Sequence, residues 1–144
     1  MLKGIDPILS PDLLRVLRAM GHGDEIAIVD ANYPAEGAGP EIVRLDGIPA
    51  TRVLDAVLAL MPLDEFVPDA CWRMEVVGDA RKEEPIFEEF RAIIARREGG
   101  NFRLASLERF KFYDRANAAF AMVATGERRL YGNIILKKGI IRPE

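Results

Sequence analysis

The sequence has 144 residues, of which 49% are hydrophobic and 30% are charged. A chain of this length and composition can bury a sizeable core, so we expect one globular domain over residues 1–144. Its 20 basic and 23 acidic residues give a net charge of −3. This balance disfavours nucleic acid and anionic membranes as partners.

Cysteine and histidine each occur once, as Cys71 and His22. An internal disulfide is therefore excluded, and no pair of these residues has the spacing of metal ligands. The first residues lack the order of charged and apolar segments that marks a signal peptide, and no apolar run approaches the roughly 20 residues that cross a bilayer. We expect a cytoplasmic protein without a metal site.

The first predicted helix has a well-marked start. Ser10 can accept from free amides of the first turn, Pro11 suits the first helical position, and Asp12 complements the positive end of the helix dipole. Leucines then recur at helical spacing until Gly21, which predicts the end of the helix.

Short apolar runs then alternate with stretches of helical spacing. Strands are predicted over residues 26–29, 42–45, 72–77, 120–124 and 133–137. Helices are predicted over residues 51–61, 85–97 and 108–118. This alternation indicates a layered α/β fold with a mostly buried, mixed sheet.

His22 lies between Gly21 and Gly23, after a predicted helix and before a predicted strand. A dinucleotide-binding motif needs the reverse order, so a nucleotide site is disfavoured. Two interpretations stay open for the histidine. It could cap the carbonyl end of the preceding helix. Alternatively, it could serve as a general acid or base, with Asp30 at the far end of the strand or across a pocket shared with a neighbouring subunit.

Two pairs of polar residues lie nearer the C-terminus. Tyr131 and Asn133 are two apart, so on an extended segment they would project from one face and could bind adjacent hydroxyls. Arg109 and Tyr113 are four apart and share one face of a predicted helix. Each pair also has a purely structural interpretation, as a turn before a strand or as ordinary helix-surface contacts.

Three segments of the chain resemble one family. They are GIDPILSPDLLRVLRAMGHGDEIAIVDANYPA, ERFKFYDRANAAFAMVATGE and RLYGNIILKKG. They carry the glycine-flanked His22, the Asp30–Asn32 ending and the Tyr131–Asn133 triplet in family order. Together they resemble the FucU/RbsD sugar mutarotase family, and in particular its L-fucose branch.

The resemblance implies a three-layer α/β/α fold of the RbsD type. It also implies an enzyme that interconverts the α and β anomers of a reducing sugar without a cofactor, in a ring-shaped homo-oligomer, typically a decamer. By the same resemblance, His22 is the proton donor and Tyr131 is a sugar-binding residue. Because ring opening needs an acid and a base, we expect Tyr131 to be the second proton-transfer group. The implied sugar-binding residues are Asp30, Asp64, Arg109, Tyr113 and Asn133, with Met74 in the same pocket.

Two alternatives remain beside an L-fucose mutarotase. The D-ribose pyranase branch commonly supplies an additional histidine in the region 108–111, where this chain has Glu-Arg-Phe-Lys. This difference favours L-fucose and leaves a D-ribose pyranase-like enzyme as the second choice. A non-catalytic monosaccharide-binding protein could use the same hydroxyl-binding residues.

Overall fold

The structure is a computed structural model that describes every residue from Met1 to Glu144. Its four helices are α1 (Pro11–Ala19), α2 (Ala50–Leu58), α3 (Pro85–Glu98) and α4 (Arg109–Asn117). Its six strands are β1 (Glu25–Val29), β2 (Glu41–Leu45), β3 (Cys71–Met74), β4 (Ala105–Leu107), β5 (Ala121–Thr125) and β6 (Ile134–Lys137). None of the helices has both the length and the apolar character that crossing a membrane requires.

Helix α1 begins as its sequence predicts. The Ser10 hydroxyl accepts from the Leu13 N–H at 3.2 Å, which satisfies one of the free amides of the first turn. The helix buries Leu13, Val16 and Leu17 against the sheet. It ends at Ala19, two residues before Gly21.

All six strands form one sheet in the order β2-β5-β1-β6-β3-β4. β6 runs antiparallel to both of its neighbours, β1 and β3, while every other pair is parallel. The other five strands therefore point the same way. Their carboxyl ends and the amino end of β6 lie at one edge of the sheet, which we call the carboxyl edge.

Helices cover both faces of the sheet, as the buried strands require. Ile26 and Ile28 of β1 belong to the larger core, with residues of α1, α2 and α3. Ala27 and Val29 point the other way, into a smaller core with residues of α4. The predicted α/β fold with a mixed sheet and three layers is confirmed.

Most predicted boundaries agree with the structure to within one residue, and three elements differ by more. β3 ends at Met74, because the chain turns back on itself through a bridge between Val76 and Asp79. α2 ends at Leu58 rather than at 61, and its last turn tightens, with the Leu60 N–H donating to the Val57 carbonyl at 3.0 Å. β4 was not predicted, because three residues are too few to show a period.

Beyond β6 the chain contacts the segment that follows α2. The Gly139 N–H donates to the Pro62 carbonyl at 2.8 Å, and the Asp64 N–H donates to the Lys137 carbonyl at 3.1 Å. A Cβ on Gly139 would lie 2.4 Å from the Leu63 carbonyl oxygen. A close backbone approach that only glycine permits thus fixes the position of Asp64.

We predict that Gly139→Ala lowers the free energy of unfolding by about 2 kcal/mol, because the clashing neighbour is backbone and cannot rotate aside. Urea unfolding measures the change. Gly37→Ala is the matched control, since its Cβ would meet nothing within 4 Å, and its effect should stay within about 0.5 kcal/mol. Equal stability of the two variants would contradict the close approach.

Candidate active site

A cavity of about 210 Å³ opens at the carboxyl edge of the sheet. Its lining includes Asp30, which follows β1, Met74 at the end of β3, Arg109 at the start of α4, and Asn133 just before β6. Open α/β sheets place ligand sites at this edge, where strands end and side chains from different connections meet. The topology thereby gathers residues that are far apart in sequence.

Asp30 and Asn133 form the buried floor of this cavity, with 6% and 3% of their surfaces exposed. The Asp30 N–H donates to Asn133 Oδ1 at 2.8 Å, across 103 positions of sequence. The Asp30 carboxylate accepts from the Asn32 N–H at 3.0 Å. Burial raises the pKa of Asp30 despite these hydrogen bonds. The carboxyl group is therefore better suited to accept a proton than an exposed aspartate is.

Tyr131 reaches the cavity from a backbone conformation that differs from the predicted one. Its φ is 62°, in the left-handed region, so the extended segment expected for Tyr131 and Asn133 is wrong. The next residue, Gly132, has no room for a side chain, because a Cβ would lie 2.6 Å from Cγ of Glu127. Both predicted side chains nevertheless line the cavity.

The phenol of Tyr131 has a defined hydrogen-bonding role. Its oxygen accepts from the Val77 N–H at 3.1 Å. Because the backbone amide supplies this hydrogen, the phenol keeps its own hydrogen free for a ligand in the cavity.

Arg109 and Tyr113 both line the cavity from the first turns of α4. The Glu108 carboxylate caps this helix by accepting from the N–H groups of Phe110 at 2.9 Å and Lys111 at 3.2 Å. The predicted helix and its shared Arg109–Tyr113 face are confirmed. Arg109 Nε is buried without any hydrogen-bond partner.

His22 lies at the opposite edge of the sheet, because it precedes β1 whereas Asp30 follows it. β1 spans five residues, roughly 15 Å at the rise of a strand. His22 Nε2 contacts Asp64 Oδ1 at 3.0 Å, with the imidazole 45% exposed and the carboxylate 4% exposed. Burial raises the pKa of Asp64, but hydrogen bonds from the Phe66 N–H and His22 outweigh it and hold that pKa below its usual value.

This geometry decides between the structural alternatives for His22. The carbonyl end of α1 is capped by Lys138, whose Nζ donates to the Leu17 and Met20 carbonyls. His22 instead pairs with Asp64, so the helix-capping interpretation is wrong. Asp64, which the resemblance grouped with the sugar pocket, lines no part of the cavity of its own chain.

Four lining residues were not predicted: Asn32, Tyr33, Val77 and Leu130. Asn32 and Tyr33 directly follow Asp30, so their place in the same turn was a signal available in the sequence. Val77 and Leu130 are exposed apolar side chains, at 51% and 65%, and only the folded chain shows that they form the rim.

The chemistry of the lining fits a small polyhydroxylated ligand. It combines a carboxyl group, a guanidinium, phenols and a carboxamide, which together donate to and accept from hydroxyl groups. No group of three or more His, Cys, Asp or Glu side chains is placed to hold a metal ion. The arrangement can bind hydroxyls and, through Asp30 and Tyr131, exchange protons with them.

Comparison with known proteins gives a consistent result. The profile of the RbsD / FucU transport protein family matches residues 3–141. The fucose mutarotase of Bos taurus is 46% identical over 150 residues, covering 100% of this chain and 97% of the relative. The crystal structure of the fucose mutarotase from Streptococcus pneumoniae, in complex with L-fucose, superposes with a TM-score of 0.91 at 43% identity and covers 98% of this chain and 100% of that one.

A more distant structure shares the fold. Bacillus subtilis RbsD complexed with D-ribose superposes with a TM-score of 0.73 at 20% identity, covering 99% of this chain and 100% of that one. The family profile covers nearly the whole chain, and the relatives match it over almost their full length. The chain belongs to the RbsD/FucU family.

Proposed function

We propose that this protein is a mutarotase that interconverts the α and β anomers of L-fucose. One observation carries the proposal: the hydroxyl-binding side chains Asp30, Arg109, Tyr131 and Asn133 converge on one small cavity in a chain that matches fucose mutarotases over its full length. Drug-sized ligands occupy pockets of about 300 Å³ or more. The cavity of about 210 Å³ therefore suits a single sugar ring.

The comparisons favour L-fucose over D-ribose as the substrate. The relative bound to L-fucose is 43% identical to this chain, whereas the D-ribose complex is 20% identical and supports the fold alone. Apolar Val77 and Leu130 on the rim add a surface that suits the methyl group of a 6-deoxy sugar.

Mutarotation needs only proton transfer. A base removes the proton of the anomeric hydroxyl while an acid protonates the ring oxygen, the ring opens to the aldehyde, and rotation followed by closure gives the other anomer. In our proposal Tyr131 and a histidine carry these protons. Asp30, Arg109, Tyr113 and Asn133 hold the remaining hydroxyls, which keeps the sugar oriented through ring opening.

The histidine of this mechanism would come from a second copy of the chain. His22 and Asp64 lie at the opposite edge of the sheet from the cavity, and His22 is exposed. Phe66, 58% exposed, packs beside the imidazole with 5.6 Å between ring centroids. This apolar surface matches the apolar rim of the cavity. Contact between the two edges joins unlike surfaces, and such contacts form a closed ring when the rotation between neighbouring copies divides a full turn. We infer a ring of this kind.

Two further assignments belong to the proposal. The six strands form one sheet, and the four helices pack against it in two cores. This arrangement supports one domain over residues 1–144. Cys71 is a buried, unpaired thiol, which suits a reducing compartment and supports the cytoplasm as the place of action.

We predict that the purified protein accelerates exchange between the α and β anomers of L-fucose with no added metal or nucleotide. Saturation-transfer NMR at the two anomeric protons measures the exchange rate. D-ribose and D-galactose serve as comparison sugars, and L-fucose should exchange fastest. Rates equal to buffer with all three sugars would contradict the enzyme, and binding of L-fucose without faster exchange would identify a sugar-binding protein.

We predict that two inactive variants regain exchange activity when they are coexpressed. His22→Asn and Tyr131→Phe should each reduce exchange by roughly a hundredfold, because each removes a proton-transfer group. When the two are coexpressed at equal levels, about a quarter of the sites in mixed rings combine an intact cavity with an intact histidine. Exchange should therefore recover to about a quarter of the wild-type rate.

A second mixture tests whether the cavity and the histidine of one site come from different chains, this time by loss of activity. Wild-type chains are coexpressed with the double variant His22→Asn/Tyr131→Phe at equal levels. A shared site again leaves about a quarter of the sites intact, whereas a site within one chain leaves about half. Light scattering should show a mass several times 16.1 kDa for every preparation. No recovery in the first mixture would refute the shared site.

A further inference from the structure

Only two buried side-chain nitrogen or oxygen atoms in the chain lack a hydrogen-bond partner: the phenol oxygen of Tyr33 and Nε of Arg109. Both residues line the same cavity. In folded proteins the large majority of buried polar groups are paired, and an unpaired one lowers stability. The coincidence of both exceptions at one small cavity indicates that a ligand supplies the missing partners.

Packing, rather than a hydrogen bond, holds the Tyr33 ring in place. Its N–H donates to the Asp30 carbonyl at 3.2 Å, which ties the residue to the turn after β1. The ring meets Phe112 and Tyr113 edge-on, with centroids 6.3 Å and 5.3 Å away. These two aromatic neighbours hold the ring beside the cavity that Tyr33 lines, and its hydroxyl oxygen stays buried there without a partner.

The phenol remains protonated, so it can donate a hydrogen bond. Burial raises the pKa of Tyr33, and the nearby Tyr113 and Asp30 raise it further. Tyr33 and Tyr113 are both only half-buried. Side-chain rotations at a binding site are common when a ligand binds, so the half-buried ring can turn its hydroxyl toward an occupant of the cavity.

We propose that Tyr33 is a specificity-determining residue whose hydroxyl binds one hydroxyl of the sugar. The inference rests on the proposed function, because it takes a monosaccharide as the occupant. A sugar with a hydroxyl at the right position gives the phenol its missing partner. A sugar without that hydroxyl leaves the buried phenol unpaired, and a site built this way discriminates strongly against such an analogue.

The variant Tyr33→Phe separates this role from a structural one. Without sugar, the variant should melt roughly 2 to 5 °C higher than wild type, because it removes an unpaired buried hydroxyl. Its affinity for L-fucose, measured by calorimetric titration, should fall roughly threefold to tenfold. A hydroxyl that serves only the fold, through an ordered water, predicts the opposite: a lower melting temperature and unchanged affinity. That pair of results overturns the proposal.

Thr125→Val is the matched control for thermal stability. The buried Thr125 hydroxyl donates to the Val29 carbonyl at 2.8 Å, so its loss should lower the melting temperature. Titration of the wild type with L-fucose distinguishes a failure of the proposed function from a failure of the Tyr33 inference. A wild type that does not bind L-fucose contradicts the proposed function, whereas a wild type that binds it as tightly as Tyr33→Phe does contradicts only this inference.

Monodeoxy analogues of L-fucose identify the sugar hydroxyl concerned. Wild type and Tyr33→Phe are each titrated with the 1-deoxy, 2-deoxy, 3-deoxy and 4-deoxy sugars. The loss caused by Tyr33→Phe should disappear for the one analogue that lacks the partner hydroxyl and persist for the other three. An equal loss for all four analogues would show that Tyr33 acts through the shape of the turn, and would overturn the proposal.

Discussion

The antiparallel insertion of β6 between β1 and β3 is the constraint on which the rest of the structure depends. Its amino end brings Asn133 to the carboxyl edge of the sheet, where the Asp30 N–H donates to the amide oxygen. Its carboxyl end holds Asp64 through the Lys137 carbonyl, and Asp64 in turn holds His22. One strand therefore organises two chemically different edges of the same sheet.

The carboxyl edge of the sheet holds buried polar groups that lower the stability of the fold. Asp30 and Asn133 are buried polar residues, and burial raises the pKa of Asp30 despite its hydrogen bonds. Tyr33 and Arg109 keep buried atoms without partners. A core of the same size made of apolar side chains would be more stable. The concentration of these features around one cavity distinguishes it from a packing defect and supports our proposal that it binds a ligand.

Local patterns predicted the fold and, together with the family resemblance, singled out six of the ten residues that line the cavity. The face shared by Arg109 and Tyr113 followed from their spacing of four, because a helix imposes that geometry by itself. The left-handed φ of Tyr131 could not be predicted, since a residue other than glycine rarely adopts it and no local pattern marks it. The pairing of His22 with Asp64 joins residues 42 apart. It depends on the antiparallel position of β6 between β1 and β3, because the Lys137 carbonyl of β6 holds Asp64. Sequence patterns predict contacts within an element better than contacts that topology creates.

In our proposal one chain supplies the sugar cavity and a second chain supplies the histidine. A crystal structure of the protein with bound L-fucose is the decisive experiment. We expect the sugar at the carboxyl edge, hydrogen-bonded to Asp30 and Asn133, with His22 of a second copy about 3 Å from its anomeric or ring oxygen, the reach of a proton-transferring group. A sugar bound beside the His22–Asp64 pair and away from Asp30, or a sugar in the cavity with no histidine near it, would refute the shared site.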